Sequence, residues 1–168
     1  LEYRISGKAV RMDSKLISSN IAWFSRYEII HETLMQQVGK SEIDGIEDQL
    51  IRQQAIDFYE EDAQKTVYRT DSEAMEKRLL TLGIVIDHVL AHSPEGSKPL
   101  LSRVFNEQYD KAEDGTVTVC DKKLVSAKSA QNPNDPDTHY RSKAGKKVKG
   151  FSANITEACD EENKPNLI

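Results

Sequence analysis

The stretch DPDTHYRSKAGKKVKGFSANITEAC, residues 135–159, decides how the whole chain is read. It opens inside AQNPNDPDT, residues 130–138, which is dense in Asn, Asp and Pro. Those side chains bond to nearby backbone or fix φ, so this part reads as a loop. From Lys146 to Cys159 the pattern is strand-like, and DEENKP, residues 160–165, reads as a turn into a returning strand at NLI, residues 166–168. Across the junction of loop and strand run Arg141, Lys143, Lys146, Lys147 and Lys149, with no acid among them. Two readings stay open for this run. It is a solvated loop and strand edge, where Lys discourages edge-to-edge pairing, or a surface that meets phosphate.

The run is unusual for its chain. The protein has 168 residues and a net charge of −5. Residues 121–150 hold eight Lys/Arg against three Asp/Glu, whereas residues 1–120 hold 14 against 21. Positive charge is therefore gathered in one segment and creates a local field. The mean hydropathy of −0.62 and the high charge describe a helix-rich protein with a modest core. No apolar run approaches the roughly 20 residues of a membrane helix. The first residue is Leu and the last residues begin a strand, so the chain reads as a fragment of a longer protein. Cys120 and Cys159 form no metal-ligand spacing, which argues against structural zinc and for a reduced, cytoplasmic chain. Asn154-Ile155-Thr156 matches a glycosylation sequon by chance in such a setting.

Working back toward the N-terminus, RISGKAVRMD, residues 4–13, reads as a strand ending at Asp13. A helix follows, capped by Ser18, Ser19 or Asn20, with Ile17, Ile21, Phe24, Tyr27, Ile30, Leu34 and Val38 on one face and Gly39 closing it. A second helix runs from about Ile46 to Tyr68, with a break available at 60–62. A third, capped by Asp71 or Ser72, ends near Ser93, and a fourth runs from Pro99 to Ala112. Four amphipathic helices with short links imply antiparallel packing. Asp114-Gly115 is a turn signal, and TVTVC, residues 116–120, alternates like a strand.

Few residues carry a chemical signal. Asp13 at a strand end is placed to bind a hard cation such as Mg²⁺, although a cap or exposed turn residue has the same sequence position. Glu42, Asp44, Glu47, Asp48, Glu60, Glu61 and Asp62 read as a solvated helix face. His31 and His88 lie on helices without a sequence neighbour that would make a site, and read as packing or surface residues. Trp23 fits an amphipathic face. No phosphate-binding glycine loop, nucleophile elbow or HExxH zinc motif is present.

VRMDSKLISSNIAWFSRYEIIHETL, residues 10–34, together with NPNDPDTHYRSKAGKKVKGFSANITEACDEENKPNLI, residues 132–168, resembles the DDE transposases of bacterial insertion sequences, in their 1182-type branch. The second stretch is the more specific, through Asp135-Pro136-Asp137, Tyr140-Arg141, Lys143 and Gly150-Phe151. The resemblance implies an α+β fold: a truncated RNase H-like sheet interrupted by a four-helix all-α insertion. Residues 1–16 would be the first core strand and 17–113 the insertion. Residues 114–146 would be a strand and basic loop, and 147–168 the hairpin of the second and third core strands. It implies Asp13 as the first catalytic acid and a ligand of Mg²⁺ or Mn²⁺, with two further acids beyond Ile168. A two-metal site would then activate water or a 3′-hydroxyl for phosphodiester chemistry, which this fragment alone would not perform. Arg141, Lys143, Lys146 and Lys147 would contact the DNA backbone, and Asp135 and Asp137 would order the loop through side-chain-to-backbone bonds. The implied partners are transposon ends and target DNA, with a homodimer working on paired ends in the bacterial cytoplasm. The alternative is a non-catalytic helical module that binds a protein partner. The two readings differ visibly: the first requires residues 4–13 to pair with residues 147–157, and the second requires an exposed apolar groove.

Overall fold

A computed structural model describes residues 10–18, 25–143 and 145–158, with strands 10–18, 139–143 and 146–158 given as backbone and register. The chain is α+β and divides into two compact units: residues 1–20 with 140–168, and residues 21–139.

Among the described residues, the first unit is a three-stranded sheet. β1 (Val10–Ser18) pairs antiparallel with the long strand β5 (Lys146–Ala158), and β4 (His139–Lys143) is the other neighbour of β5. The register runs without a break from Val10 opposite Ala158 to Ser18 opposite Gly150. The expected pairing of the first strand with the strand near residues 147–157 is therefore present. Its position differs from the sequence reading, because β1 continues through Asp13 to Ser18 rather than ending at Asp13. The reason is length: β5 has 13 residues, and its edge goes on accepting ladder bonds opposite Leu16 and Ile17. Residues 4–9 lie outside the described residues.

The expected basic loop is also corrected. His139–Lys143 is a strand, and Gly145 leads straight into β5. Gly145 has φ +78°, a left-handed conformation that suits glycine in a tight hairpin turn. The hairpin expected between residues 147–159 and 166–168 falls partly outside the described residues.

Among the described residues, the second unit contains six helices in place of the four anticipated. They are α1 (Arg26–Gln37), α2 (Lys40–Asp44), α3 (Gln49–Tyr59), α4 (Ala63–Arg69), α5 (Ser72–His92) and α6 (Pro99–Gln108). α1 starts at Ser25, not at residues 18–20. Ser25 and Glu28 form a reciprocal capping box, which satisfies two backbone donors at once. Gly39 does not close α1 in a left-handed turn. Val38 is the C-cap, and Gly39, at φ −82°, begins α2. The anticipated second helix splits where a break was available, because Asp62 accepts from the Lys65 amide and starts α4 afresh. Asp71 caps α5 in the same way through Ala74.

α6 stops four residues earlier than its sequence pattern. β2 (Tyr109–Lys111) follows it and pairs antiparallel with β3 (Val117–Val119) across Asp114-Gly115, with Gly115 at φ +86°. The Tyr109 hydroxyl donates to the Leu79 carbonyl at 2.9 Å, and the Cys120 amide donates to the Gln108 carbonyl at 3.0 Å. Those tertiary bonds replace the last helical turn.

The core of this unit lies between α1, α3, α5 and α6. Ile30, Leu34, Leu82, Val85, Ile86, Leu101 and Val104 are almost wholly buried. Each such side chain contributes about 1.5–3 kcal/mol by leaving water.

Candidate functional site

Asp13 occupies the fourth position of β1, opposite Ile155, with Met12 opposite Thr156 and Ser14 opposite Asn154. It is thus an internal strand residue, held by ladder on either side, rather than a turn residue. The sheet brings Arg141 and Lys143 on β4 next to β5, whose first residues include Lys146, Lys147 and Lys149. Five cations are thereby concentrated at one hairpin end. β1 pairs with β5 only as far as Gly150, so the lysines lie on the part of β5 beyond that ladder. Lys147 is eight residues along β5 from the partner of Asp13, about 27 Å at the usual rise per strand residue. Asp13 and the basic hairpin are two separate places on one sheet.

The loop that precedes the hairpin is anchored within the helical unit. Arg103 on α6 donates to the carbonyls of Pro136 (3.1 Å) and Lys128 (3.3 Å), and its Nε meets Glu107 at 2.9 Å. Glu107 in turn accepts from the Ala130 amide at 2.8 Å. Gln36 on α1 donates to Asn134 at 2.9 Å. Asp135 takes part through its backbone: its amide donates to Asn132 and its carbonyl accepts from Thr138. Among the described residues, the side-chain-to-backbone bond of the turn comes from Asn132, whose Oδ1 accepts from the Asn134 amide at 2.8 Å. Asp137 is exposed. The sequence reading missed Arg103 and Glu107, which lie on a helix more than 20 residues away and gave no local signal.

The acid-rich segment is not one solvated face. Asp48 and Asp62 are helix caps, and Glu42 pairs with Lys98 at 2.9 Å. Glu61 is drawn inward, with its side chain 6% exposed. It accepts from the Tyr27 hydroxyl at 2.7 Å and pairs with Arg78, whose Nε also donates to the Tyr27 oxygen at 3.0 Å. The Arg78 guanidinium lies 5.3 Å from the centre of the Phe58 ring. Burial alone would raise the Glu61 pKa, but bonds from Arg78, Tyr27 and Thr66 outweigh it and hold the carboxyl below its ordinary value. Tyr27 shifts upward, through burial first and Glu61 second. The triad is a closed structural network with its polar groups turned to one another.

His31 is buried, and its Nε2 lies 2.8 Å from the Phe58 carbonyl, so it is a core histidine. Cys120 follows β3 rather than lying in a strand. Its Sγ is 3.2 Å from Asp110 Oδ2, and burial together with that carboxylate pushes the thiol pKa up, away from a nucleophilic thiolate. Cys159, Trp23 and residues 160–168 lie outside the described residues.

A carboxylate on a core strand is a suitable hard ligand for Mg²⁺ or Mn²⁺, but one ligand is not a site. Among the described residues, no group of three or more His, Cys, Asp or Glu is close enough together to hold a metal ion. Among the described residues, no helix is long and apolar enough to cross a membrane. No protein-family model, no curated protein and no solved structure matches the chain.

Proposed function

We propose that this chain is part of a DDE transposase that cleaves and transfers DNA strands by metal-dependent phosphodiester chemistry. In this reading β1 and β5 are the first and second strands of an RNase H-like sheet, and the mainly helical unit of residues 21–139, which also holds the β2–β3 hairpin, is an insertion between them. One observation carries it: β1 and β5 pair over nine consecutive positions with Asp13 inside the ladder, although residues 19–145 separate them in sequence. A pairing so distant is costly in loop closure unless the intervening chain folds by itself, and the helical unit has its own core. Asp13 is then the first of three catalytic acids, the other two lying outside residues 1–168, and the isolated chain is inactive. The full-length enzyme acts in the bacterial cytoplasm, at the nucleoid, as a homodimer on paired ends.

The basic hairpin serves the same reading. Arg141, Lys143, Lys146 and Lys147 meet backbone phosphates and position the duplex without reading its bases. At about 27 Å from Asp13 along β5, they would hold the duplex about eight base pairs from the reacting phosphate. The test is made on the full-length enzyme. Asp13→Asn should abolish strand cleavage and transfer while DNA binding and the circular dichroism spectrum stay as they were. Cleavage within a few-fold of the parent enzyme would overturn the assignment.

The alternative, a protein-binding helical module, has one observation of its own. A cleft of about 950 Å³ in the helical unit is lined in part by Val67, Met75, Leu80 and Val117. Without an identified occupant it ranks second to the strand pairing.

A further inference from the structure

Helix α5 carries two histidines one turn apart, His88 and His92, on the same side of the helix. Their rings stack, with centroids 4.1 Å apart and planes inclined by 26°. His92 Nδ1 lies 2.8 Å from the His88 carbonyl oxygen. A carbonyl can only accept, so Nδ1 carries the proton and Nε2 keeps its lone pair. That is how metal-ligating imidazoles are usually oriented, with the second nitrogen donating to a carbonyl or carboxylate. Both histidines line a cavity of about 400 Å³ whose other walls include Glu42 and Glu47. Glu42 is engaged by Lys98, and Glu47 is exposed in the link between α2 and α3.

We propose that His88 and His92 form a two-imidazole chelate for a borderline divalent transition ion, Zn²⁺, Ni²⁺ or Cu²⁺, with water in the remaining positions. Imidazole suits these ions, whereas Mg²⁺ and Mn²⁺ prefer oxygen, so the site is chemically distinct from Asp13. Two nitrogens bound tetrahedrally at zinc distances are about 3.3 Å apart. The stacked rings, with centres 4.1 Å apart, must turn out of their stack to aim both nitrogens at one ion, which the spacing of one helical turn allows. The carboxylates across the cavity add a negative field that favours a cation.

The experiment is calorimetric titration of the 168-residue chain with Zn²⁺ and with Ni²⁺ at neutral pH, paired with electron paramagnetic resonance of the Cu²⁺ adduct. The expected result is one ion per chain and a copper signal showing two nitrogen ligands. His88→Gln and His92→Gln should each weaken binding at least about tenfold, with an unchanged circular dichroism spectrum and with loss of one copper-bound nitrogen. His139→Gln, a histidine outside α5, should bind like the parent. Binding that survives both α5 substitutions, or no binding of any of the three ions at millimolar concentration, overturns the proposal.

Discussion

Replacing Gly83 with Ala sets two effects of known sign against each other. Gly83 is inside α5, where Ala is favoured over Gly by about 1 kcal/mol. An added Cβ, however, would be 2.4 Å from Cε1 and 2.6 Å from Cδ1 of Tyr109. Carbon atoms rest about 3.5–4.0 Å apart, so the ring must withdraw by about 1 Å or more. It has little room, because Tyr109 is 3% exposed, stacks on Phe105 at 5.3 Å, and donates to the Leu79 carbonyl. Overpacking of this kind costs about 1–3 kcal/mol, and loss of the hydroxyl bond about 1 kcal/mol more. After the helix gain is subtracted, Gly83→Ala should destabilise the protein by about 1–3 kcal/mol. Urea denaturation followed by far-ultraviolet circular dichroism reads this as a lower midpoint with an unchanged slope. The double variant with Tyr109→Leu supplies the control: without the ring, Gly83→Ala should be neutral or favourable, leaving a coupling energy of about 1–3 kcal/mol. A Gly83→Ala protein as stable as the parent, or strictly additive effects in the cycle, would refute the packing argument.

Three further outcomes follow from the same geometry. Glu61→Gln leaves Arg78 without its charged partner in a largely buried setting and should cost about 1–3 kcal/mol, toward the low end because Arg78 is partly exposed. The Glu61 pKa is lowered in the folded chain, so its contribution is present above about pH 4.3 and is lost as pH falls through the folded value; the substitution should flatten the acid limb of stability against pH. Tyr27 and Tyr109 have raised pKa values, mainly through burial, so their contribution is complete below about pH 10 and disappears as pH rises further. Absorbance titration at alkaline pH should therefore show both tyrosines ionising only as the fold opens, and early, reversible ionisation of all tyrosines in a native spectrum would contradict this. In the proposed full-length transposase, charge reversal of Arg141, Lys143, Lys146 and Lys147 should weaken DNA binding and make the slope of log K against log salt about 3.6 shallower. An unchanged slope would return the basic run to a solvated strand edge.

Elements with strong local signals are legible in the residues themselves. Asp71 and the Leu79, Leu82, Ile86, Val89 seam define α5 almost to the residue, and Pro99 marks the start of α6. The break at 60–62 and the turn at Asp114-Gly115 are also visible, since each rests on residues that act on their own backbone. Where local pattern fails, a distant partner decides the outcome. Ile17 fits a helical stripe as well as it fits a strand, and the long edge of β5 resolves the choice. Tyr109 continues the α6 stripe, yet its buried ring against α5 ends the helix and begins β2. His88 and His92 show the opposite lapse. Their four-residue spacing is a local signal, and the shared cavity gives it weight.

The alternation of strand and helix patterns, the approximate places of the main helices and the concentration of positive charge between residues 121 and 150 can all be read from the residues in order. Periodicity, capping and composition act over a few residues, and the sequence displays them directly. The ladder that holds Asp13 against β5, the hairpin of the basic run and the inward turn of Glu61 to Tyr27 and Arg78 appear only in the folded chain. Each of those depends on segments far apart in the chain. Their pairing is set by which buried surfaces and hydrogen-bond edges remain to be satisfied once the local elements have formed.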